Sequence, residues 1–346
     1  MDLMILTAVH GTDRMPPRDP WLSGERLSYY HLGHVAADIL GRLSGNGPGT
    51  TFNLATATAG ALAALAIAGL AADVTALGRA ATRTAKVVAA GVSATTLLLL
   101  TPLIGLVNLA AASGLGERAW WVMLGVANVP VEAGAREGVP TAFWWWWSST
   151  RVLPDTISEF PAFTLILGDP HAHLLSMPLS LIAVAIAVAT FEGGAPLTWR
   201  RWQRDPERLF LTSAVFAAIF MTNAWDIFVY GALWGAAGIL AFRRAGWSWL
   251  PAIVGASRWA MAPVALALVV AYGFIESLDA PPLGLAPVLG EHSDPVRWLL
   301  VWGAPLTAAL VALAFLRPRL ANNSATAAFS LAVAPVAAWV GLLINV

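Results

Sequence analysis

Residues 171–191 read HAHLLSMPLSLIAVAIAVATF, and this stretch decides the class of fold. Its 21 residues include no Asp, Glu, Lys or Arg. A helix of about 20 apolar residues is long enough to cross the hydrocarbon core of a bilayer. Because backbone groups inside lipid must satisfy their own hydrogen bonds, such a segment crosses as an α-helix. The stretch therefore predicts a transmembrane helix.

The same pattern recurs along the chain and predicts an all-α fold, a polytopic transmembrane helical bundle. Hydrophobic residues make up 58% of the chain and charged residues 12%, against about 25% charged in soluble domains. This composition excludes a soluble enzyme, a disordered chain and a nucleic-acid binder. We expect residues 1–346 to form a single integral membrane domain. The eight predicted spans are 53–78, 87–111, 171–191, 209–225, 227–242, 250–275, 297–316 and 323–345.

Arginine and lysine indicate the orientation of these spans. Alternate loops are short and basic, and the positive-inside rule places them in the cytoplasm. The other loops then face outward, and the two long ones, 1–52 and 112–170, are expected to form interfacial helices. All 6 His fall on that outer side. The sequence therefore predicts a multi-pass cell-membrane protein whose functional face is extracytoplasmic.

One short segment combines three residues of the metal-ligand type, Asp169, His171 and His173. Carboxylate and imidazole groups bind divalent metal ions. Residues two apart share a face only in an extended chain, so a metal site here requires a non-helical segment. The alternative is structural: Asp169 caps the following helix and Pro170 occupies its first position. The two interpretations are compatible.

Polar and aromatic residues of the first outer loop form a second candidate site. Asp19 supplies a carboxylate, and Tyr30, His31 and His34 follow it. The two histidines are three residues apart and share one face of a helix. The alternative is an interfacial helix with an aromatic belt.

Two further groups carry both a functional and a structural interpretation. The tryptophans from Trp144 to Trp147 either anchor the chain at the interface or form a stacking wall for a sugar or prenyl chain. Arg151 follows them and is suited to a phosphate. Asn223 and Asp226 lie between two predicted spans, as a polar hairpin cap or as a functional group near membrane depth.

Several separated motifs occur in a fixed order along the chain. They are Met1-Asp2, Pro17 to Gly24, Tyr29-Tyr30 with Gly33-His34, Phe52-Asn53-Leu54-Ala55, Glu159-Phe160-Pro161 through Gly168-Asp169 with His171 and His173, and Thr222-Asn223 with Trp225-Asp226. Together these motifs resemble the YYY family of highly hydrophobic membrane proteins, a domain of unknown function. The resemblance also implies that the chain is truncated at its N terminus, because that family has a membrane helix before the Met-Asp motif.

The YYY family is itself remotely similar to the GT-C membrane glycosyltransferases, an analogy at the level of fold. These enzymes take a sugar from a polyprenyl-phosphate donor at the extracytoplasmic face of the membrane. The resemblance implies that Asp19 or Asp2 acts as general base on the acceptor. It also implies that the partners are a membrane lipid and a polyprenyl-phosphate sugar, with no nucleic acid.

The remaining roles follow from the same resemblance. Asp169, His171 and His173 would bind a divalent metal, Mg or Mn, or the lipid phosphate. The expected substrate-binding and phosphate-binding residues are Arg151, Trp144, Trp147, Tyr30, His34, Asn223 and Asp226.

Two other functions remain open at this point. A transporter or channel would carry charges buried inside its spans, broken helices and inverted repeats. A non-catalytic cell-envelope scaffold would not depend on Asp169 or His171. A nucleotide-driven pump is disfavoured, because the chain has neither a GxGxxG nor a GxxxxGK pattern.

Overall fold

The computed structural model describes residues 1–76, 82–100, 103–112, 115–124, 149–153, 156–195, 197–279, 294–303 and 306. In these residues the chain is helical, and an isolated bridge between Arg18 and Arg26 is the extent of β-pairing. The all-α prediction is confirmed for this part of the chain. The named helices are α1 (Asp2–His10), α2 (Leu32–Leu43), α3 (Pro48–Ala76), α4 (Arg83–Thr95), α5 (Leu103–Ala112), α6 (Arg118–Met123), α7 (Pro161–Leu167), α8 (Ala172–Glu192), α9 (Trp199–Arg204), α10 (Pro206–Thr222), α11 (Asp226–Arg244) and α12 (Trp249–Ser277).

Four helices of the described residues, α3, α8, α11 and α12, are long and apolar enough to cross a membrane. They correspond to the predicted spans 53–78, 171–191, 227–242 and 250–275, so the chain is a multi-pass membrane protein. The total of eight spans is not confirmed by these helices.

The other predicted spans differ from the structure or extend beyond the described residues. Helix α10 has 17 residues and stops at Thr222, three residues before the predicted end. The predicted span 87–111 is interrupted, because α4 ends at Thr95 and a π-helical turn, Thr96–Leu100, follows it. The described chain is helical over 295–303, within the predicted span 297–316. The predicted span 323–345 lies outside the described residues.

Helices α8, α10, α11 and α12 pack together in the first of two compact units, which comprises Met1–Val74 and Gly168–Gly284. Their shared core combines small residues, such as Ala183 and Ala241, with Ile219, all fully buried. Small side chains let helices approach closely, which is the main source of helix association in lipid. The bundle is therefore held by packing along most of its length.

Three tryptophans form the densest aromatic contact of this bundle. The rings of Trp202 and Trp259 stack with centroids 4.8 Å apart, and the ring of Trp234 lies 4.9 Å from that of Trp259. The indole Nε1 of Trp202 donates a 2.9 Å hydrogen bond to the Trp259 carbonyl. This contact fastens α9 to α12.

The two ends of the bundle differ in chemistry. At one end, helices α8 and α11 begin and helices α10 and α12 end. The N-terminal segment packs against this end, where the ring of His31 lies 5.5 Å from that of Phe274. The other end carries basic residues, with Arg244 3.7 Å from Glu192 and Arg201 hydrogen-bonded to the Gly194 carbonyl. His31 therefore lies at the opposite end of this unit from Arg201 and Arg244.

Helices α1 and α2 lie in the predicted outer loop 1–52 and are tied together by Asp38. The Asp38 carboxylate lies 2.6 Å from His10 Nδ1 and accepts a 2.7 Å hydrogen bond from Arg42 Nε. Helix α1 begins at Asp2 and ends at His10. The network at His10 therefore fixes the orientation of the helix that carries Asp2.

Gly33 is the point of closest approach between α2 and the bundle. A Cβ at this position would lie 2.8 Å from Leu175 Cδ1, 2.9 Å from Leu175 Cβ and 3.1 Å from Thr222 Cγ2. We expect Gly33→Ala to lower the free energy of unfolding by about 1–3 kcal/mol, the usual cost of overpacking. Gly235→Ala is the matched control, because that helical glycine has open space around it. Unfolding in mixed micelles measures both, and equal stability of the two variants would refute the close contact.

The second unit comprises Thr75–Leu167 and Leu285–Val346. Among its described residues, Ile104, Val152 and Leu300 form a small buried cluster. Phe160 and Phe163 form another, with ring centroids 5.9 Å apart.

Candidate functional site

Asp2 lies at the centre of a partly buried polar cluster that we call the Asp2 cluster: Asp2, His34, Asp169 and His171. Asp2 is 0% exposed and His34 is 2% exposed. The four residues come from the start of α1, from α2 and from the segment before α8. Three parts of the sequence therefore converge at the end of the bundle that lies opposite the arginines.

The carboxylate of Asp2 faces an imidazole on each side. His171 Nδ1 lies 3.2 Å from Asp2 Oδ2, in hydrogen-bond geometry. His34 Nε2 lies 3.2 Å from Asp2 Oδ1, at ion-pair distance. Asp169 Oδ2 lies 3.7 Å from the same His171 nitrogen. One ring nitrogen of His171 thus lies near two carboxylates.

The backbone before α8 explains how Asp169 and His171 reach this position. Gly168 has φ of 72°, a conformation that glycine adopts without strain, and it turns the chain after α7. His171 is extended and forms the N-cap of α8, which begins at Ala172. The segment is non-helical at Asp169 and His171, as a metal site requires. The predicted cap is wrong: α8 starts two residues after Pro170, so Asp169 does not cap it.

Two effects oppose each other at Asp2. Burial raises the pKa of its carboxyl, while the close contacts with the imidazoles of His171 and His34 and their positive charge lower it. The imidazoles prevail and hold the pKa well below its usual value of 3.8. Asp2 is therefore ionised at neutral pH, the form that binds cations and accepts protons.

Several buried polar atoms of this region make no hydrogen bond within the protein. Asp2 Oδ1 and His34 Nε2 face each other at ion-pair distance but outside hydrogen-bond geometry, whereas His34 Nδ1 and Thr222 Oγ1 have no hydrogen-bond partner. A buried polar group without a partner costs about 1–3 kcal/mol. Such atoms are uncommon in native proteins and point to a ligand or ion that satisfies them.

Three residues of the cluster are the ones that could hold a metal ion. One ligand atom each from Asp2, Asp169 and His171 lies within 4.8 Å of the others. A donor set of two carboxylates and one imidazole nitrogen suits Mn²⁺ or a similar transition ion better than a donor set of oxygens alone. His173, predicted as a third ligand, is in the first turn of α8 with its ring 5.8 Å from that of His171, and it is not part of this group of three.

Asp19 and Asp2, the two predicted general bases, occupy different surroundings. Asp19 lies in the loop after α1, where its Oδ1 accepts hydrogen bonds from the backbone N–H groups of Trp21 at 2.7 Å and Leu22 at 2.9 Å. Asp2 belongs to the cluster. The structure therefore brings one of the two together with the predicted metal ligands.

The predicted substrate-binding residues are distributed over several places. The ring of Tyr30 lies 4.8 Å from that of Tyr29 in a tilted arrangement; burial raises the pKa of Tyr30, and an interaction with Trp225 opposes this. Asn223 follows α10, and its carbonyl accepts a 3.1 Å hydrogen bond from the Asp226 N–H. The carboxylate of Asp226 lies between α8 and α11.

The other predicted contacts belong elsewhere. Arg151 is in the second unit, where its guanidinium donates to the Thr150 hydroxyl. Trp144 and Trp147 lie outside the described residues.

Sequence reasoning missed the pairing of Asp2 with His34 and His171. The available signal was that all three fall on the same side of the predicted membrane. Spacing could not reveal it, because the residues are separated by 32 and 169 positions along the chain.

Helices long enough to span a membrane, with a partly buried acid–imidazole cluster at one end, define an integral membrane protein with a candidate site at that end. Residues 1–346 match a family described as uncharacterized membrane protein (DUF2298). The chain belongs to this DUF2298 family. No curated protein and no solved structure shows significant similarity to it.

Proposed function

We propose that this protein is an integral membrane glycosyltransferase of GT-C type that takes a sugar from a polyprenyl-phosphate donor. The observation that carries the proposal is the Asp2 cluster at the histidine-bearing end of the bundle. In the proposed eight-span topology this end is extracytoplasmic, because the arginines of the opposite end would face the cytoplasm. A donor delivered within the membrane needs no nucleotide-binding loop.

Asp169 and His171 would hold a divalent cation, with Asp2 as the third donor. Such a cation would neutralise the charge that develops on the leaving lipid phosphate. His173, in the first turn of α8, remains a proposed additional ligand.

Asp2 is the proposed general base. Its carboxylate would accept the proton of the acceptor hydroxyl as the glycosidic bond forms and the lipid phosphate leaves. Tyr30, His34 and Asn223 are proposed to bind the donor, since they come from segments that meet at the same end of the bundle. Arg151, with the tryptophans from Trp144 to Trp147, is proposed to contact the lipid phosphate and its chain.

Ligand-induced stabilisation of purified protein in nanodiscs tests this function. Polyprenyl-phosphate hexoses are titrated with Mn²⁺, with Mg²⁺ and with chelator, and the unfolding temperature is recorded. A ligand at 100 times its dissociation constant stabilises by about 2.7 kcal/mol, which is readily detected. We expect saturable, metal-dependent stabilisation by the lipid-linked sugar, followed by sugar transfer to a hydroxyl acceptor.

The controls are sugar-free polyprenyl phosphate and a nucleotide sugar. Neither is expected to replace the lipid-linked sugar in the transfer assay. No stabilisation and no transfer with any lipid-linked hexose would overturn the proposal and favour a transporter or a scaffold.

A further inference from the structure

A second polar cluster lies deeper in the bundle, between α8 and α11. The Oδ2 atom of Asp226 accepts hydrogen bonds from Ser176 Oγ at 2.7 Å and Ser180 Oγ at 3.2 Å. The two serine oxygens are themselves 3.2 Å apart. Three oxygens thus form a compact triangle, and Ser176 and Ser180 are 0% and 1% exposed.

Tyr230 adds a fourth oxygen to this group. It lies four residues after Asp226, on the same face of α11, and its phenol interacts with Ser180. The cluster therefore holds one carboxylate and three hydroxyls. All four residues belong to helices long and apolar enough to cross a membrane.

Helix α8 contains a proline at the same place. Pro178 lies between the two serines and has no N–H to donate to the carbonyl of Leu174 in the preceding turn. A backbone carbonyl released in this way, beside hydroxyls and an acid, is a recurring arrangement where membrane proteins bind small cations.

We propose that Asp226, Ser176, Ser180 and Tyr230 form a binding site for a monovalent cation, Na⁺. A single carboxylate balances a single positive charge, whereas a divalent ion would leave an uncompensated charge among apolar helices. Hard oxygen ligands suit an alkali cation. The short spacings between the oxygens favour Na⁺ over the larger K⁺.

The site does not depend on the proposed sugar transfer. It shares no residue with the Asp2 cluster, so the two can be tested separately. A bound Na⁺ would link α8 to α11 and would make the stability of the bundle depend on sodium.

Thermal unfolding of the purified full chain in increasing NaCl tests the site, with KCl and choline chloride at equal ionic strength as reference salts. We expect a saturable rise in the midpoint with Na⁺ alone. Asp226→Asn should abolish this response. Ser176→Ala and Ser180→Ala should each raise the half-saturating Na⁺ concentration at least tenfold.

Ser213→Ala is the matched control, since Ser213 is a buried helical serine whose hydroxyl bonds the Leu209 carbonyl of its own helix at 2.8 Å. It should keep the sodium response. Asp2→Asn should keep it as well, which separates this site from the transferase site.

Direct binding of ²²Na⁺ to the same variants provides a second measurement that does not rely on unfolding. Stabilisation that is equal in all three salts, or a sodium response that survives Asp226→Asn, would overturn the proposal. In the first case the serines and Asp226 would form only a hydrogen-bonded clamp between two helices.

Discussion

Asp2→Asn is expected to lower the turnover of sugar transfer by about 10²–10⁴-fold, the range found when a general base is removed. The amide cannot accept the acceptor proton, and it removes one negative charge from the group of Asp2, Asp169 and His171. The substitution preserves shape, so the buried contacts of α1 through Ile5 and Val9 remain. Initial rates with a lipid-linked sugar, measured at saturating Mn²⁺, give the comparison.

Asp19→Asn is the matched control for this experiment. Asp19 was an equal candidate on sequence, but its carboxylate bonds the backbone of its own loop. It should leave turnover within about twofold, as expected for a surface change away from the site. The reverse result, loss of transfer in Asp19→Asn and normal rates in Asp2→Asn, would contradict the assignment of the base.

Trp259→Ala is expected to lower the free energy of unfolding by about 3–5 kcal/mol, the largest stability effect we predict. The ring is 5% exposed and contacts both Trp202 and Trp234, so its removal leaves a cavity where α9, α11 and α12 meet. Unfolding in mixed micelles, followed by tryptophan fluorescence and far-UV circular dichroism, measures the loss.

Two substitutions test the reason for this loss. Trp259→Phe keeps an aromatic ring and removes an indole N–H that is buried without a partner, so it should cost much less than alanine. Trp199→Ala removes a tryptophan that is 59% exposed and should change stability by less than about 0.5 kcal/mol. Equal losses in Trp259→Phe and Trp259→Ala would show that ring packing is not the cause.

The spanning helices were predictable because length and hydropathy are local properties of the sequence. Helix α8 begins one residue after the predicted start of its span and ends one residue after the predicted end. Hydropathy did not predict where an α-helix ends inside an apolar stretch. The π-helical turn at Thr96–Leu100 follows α4 inside a stretch that hydropathy alone predicts as one continuous span, and Pro102, two residues after the turn, was the available signal.

The candidate site was predictable in part. Asp169 and His171 were found from residue type and spacing, and the structure places them side by side. The contribution of Asp2 and His34 depends on how α1 and α2 pack against the bundle, which no local pattern encodes. The predicted cap at Asp169 failed for a related reason: the Asp-Pro pair favours a helix start, but α8 begins after His171, which is extended.

The most direct test is to measure Mn²⁺ binding to the purified protein by electron paramagnetic resonance. We predict one Mn²⁺ per chain with nitrogen coupling from His171. His171→Ala should remove that coupling, and Asp2→Asn and Asp169→Asn should weaken binding at least tenfold. His10→Ala is the control, because His10 pairs with Asp38 away from the cluster. Binding that is absent, or unchanged in all three cluster variants, would contradict the claim that these residues form the functional site.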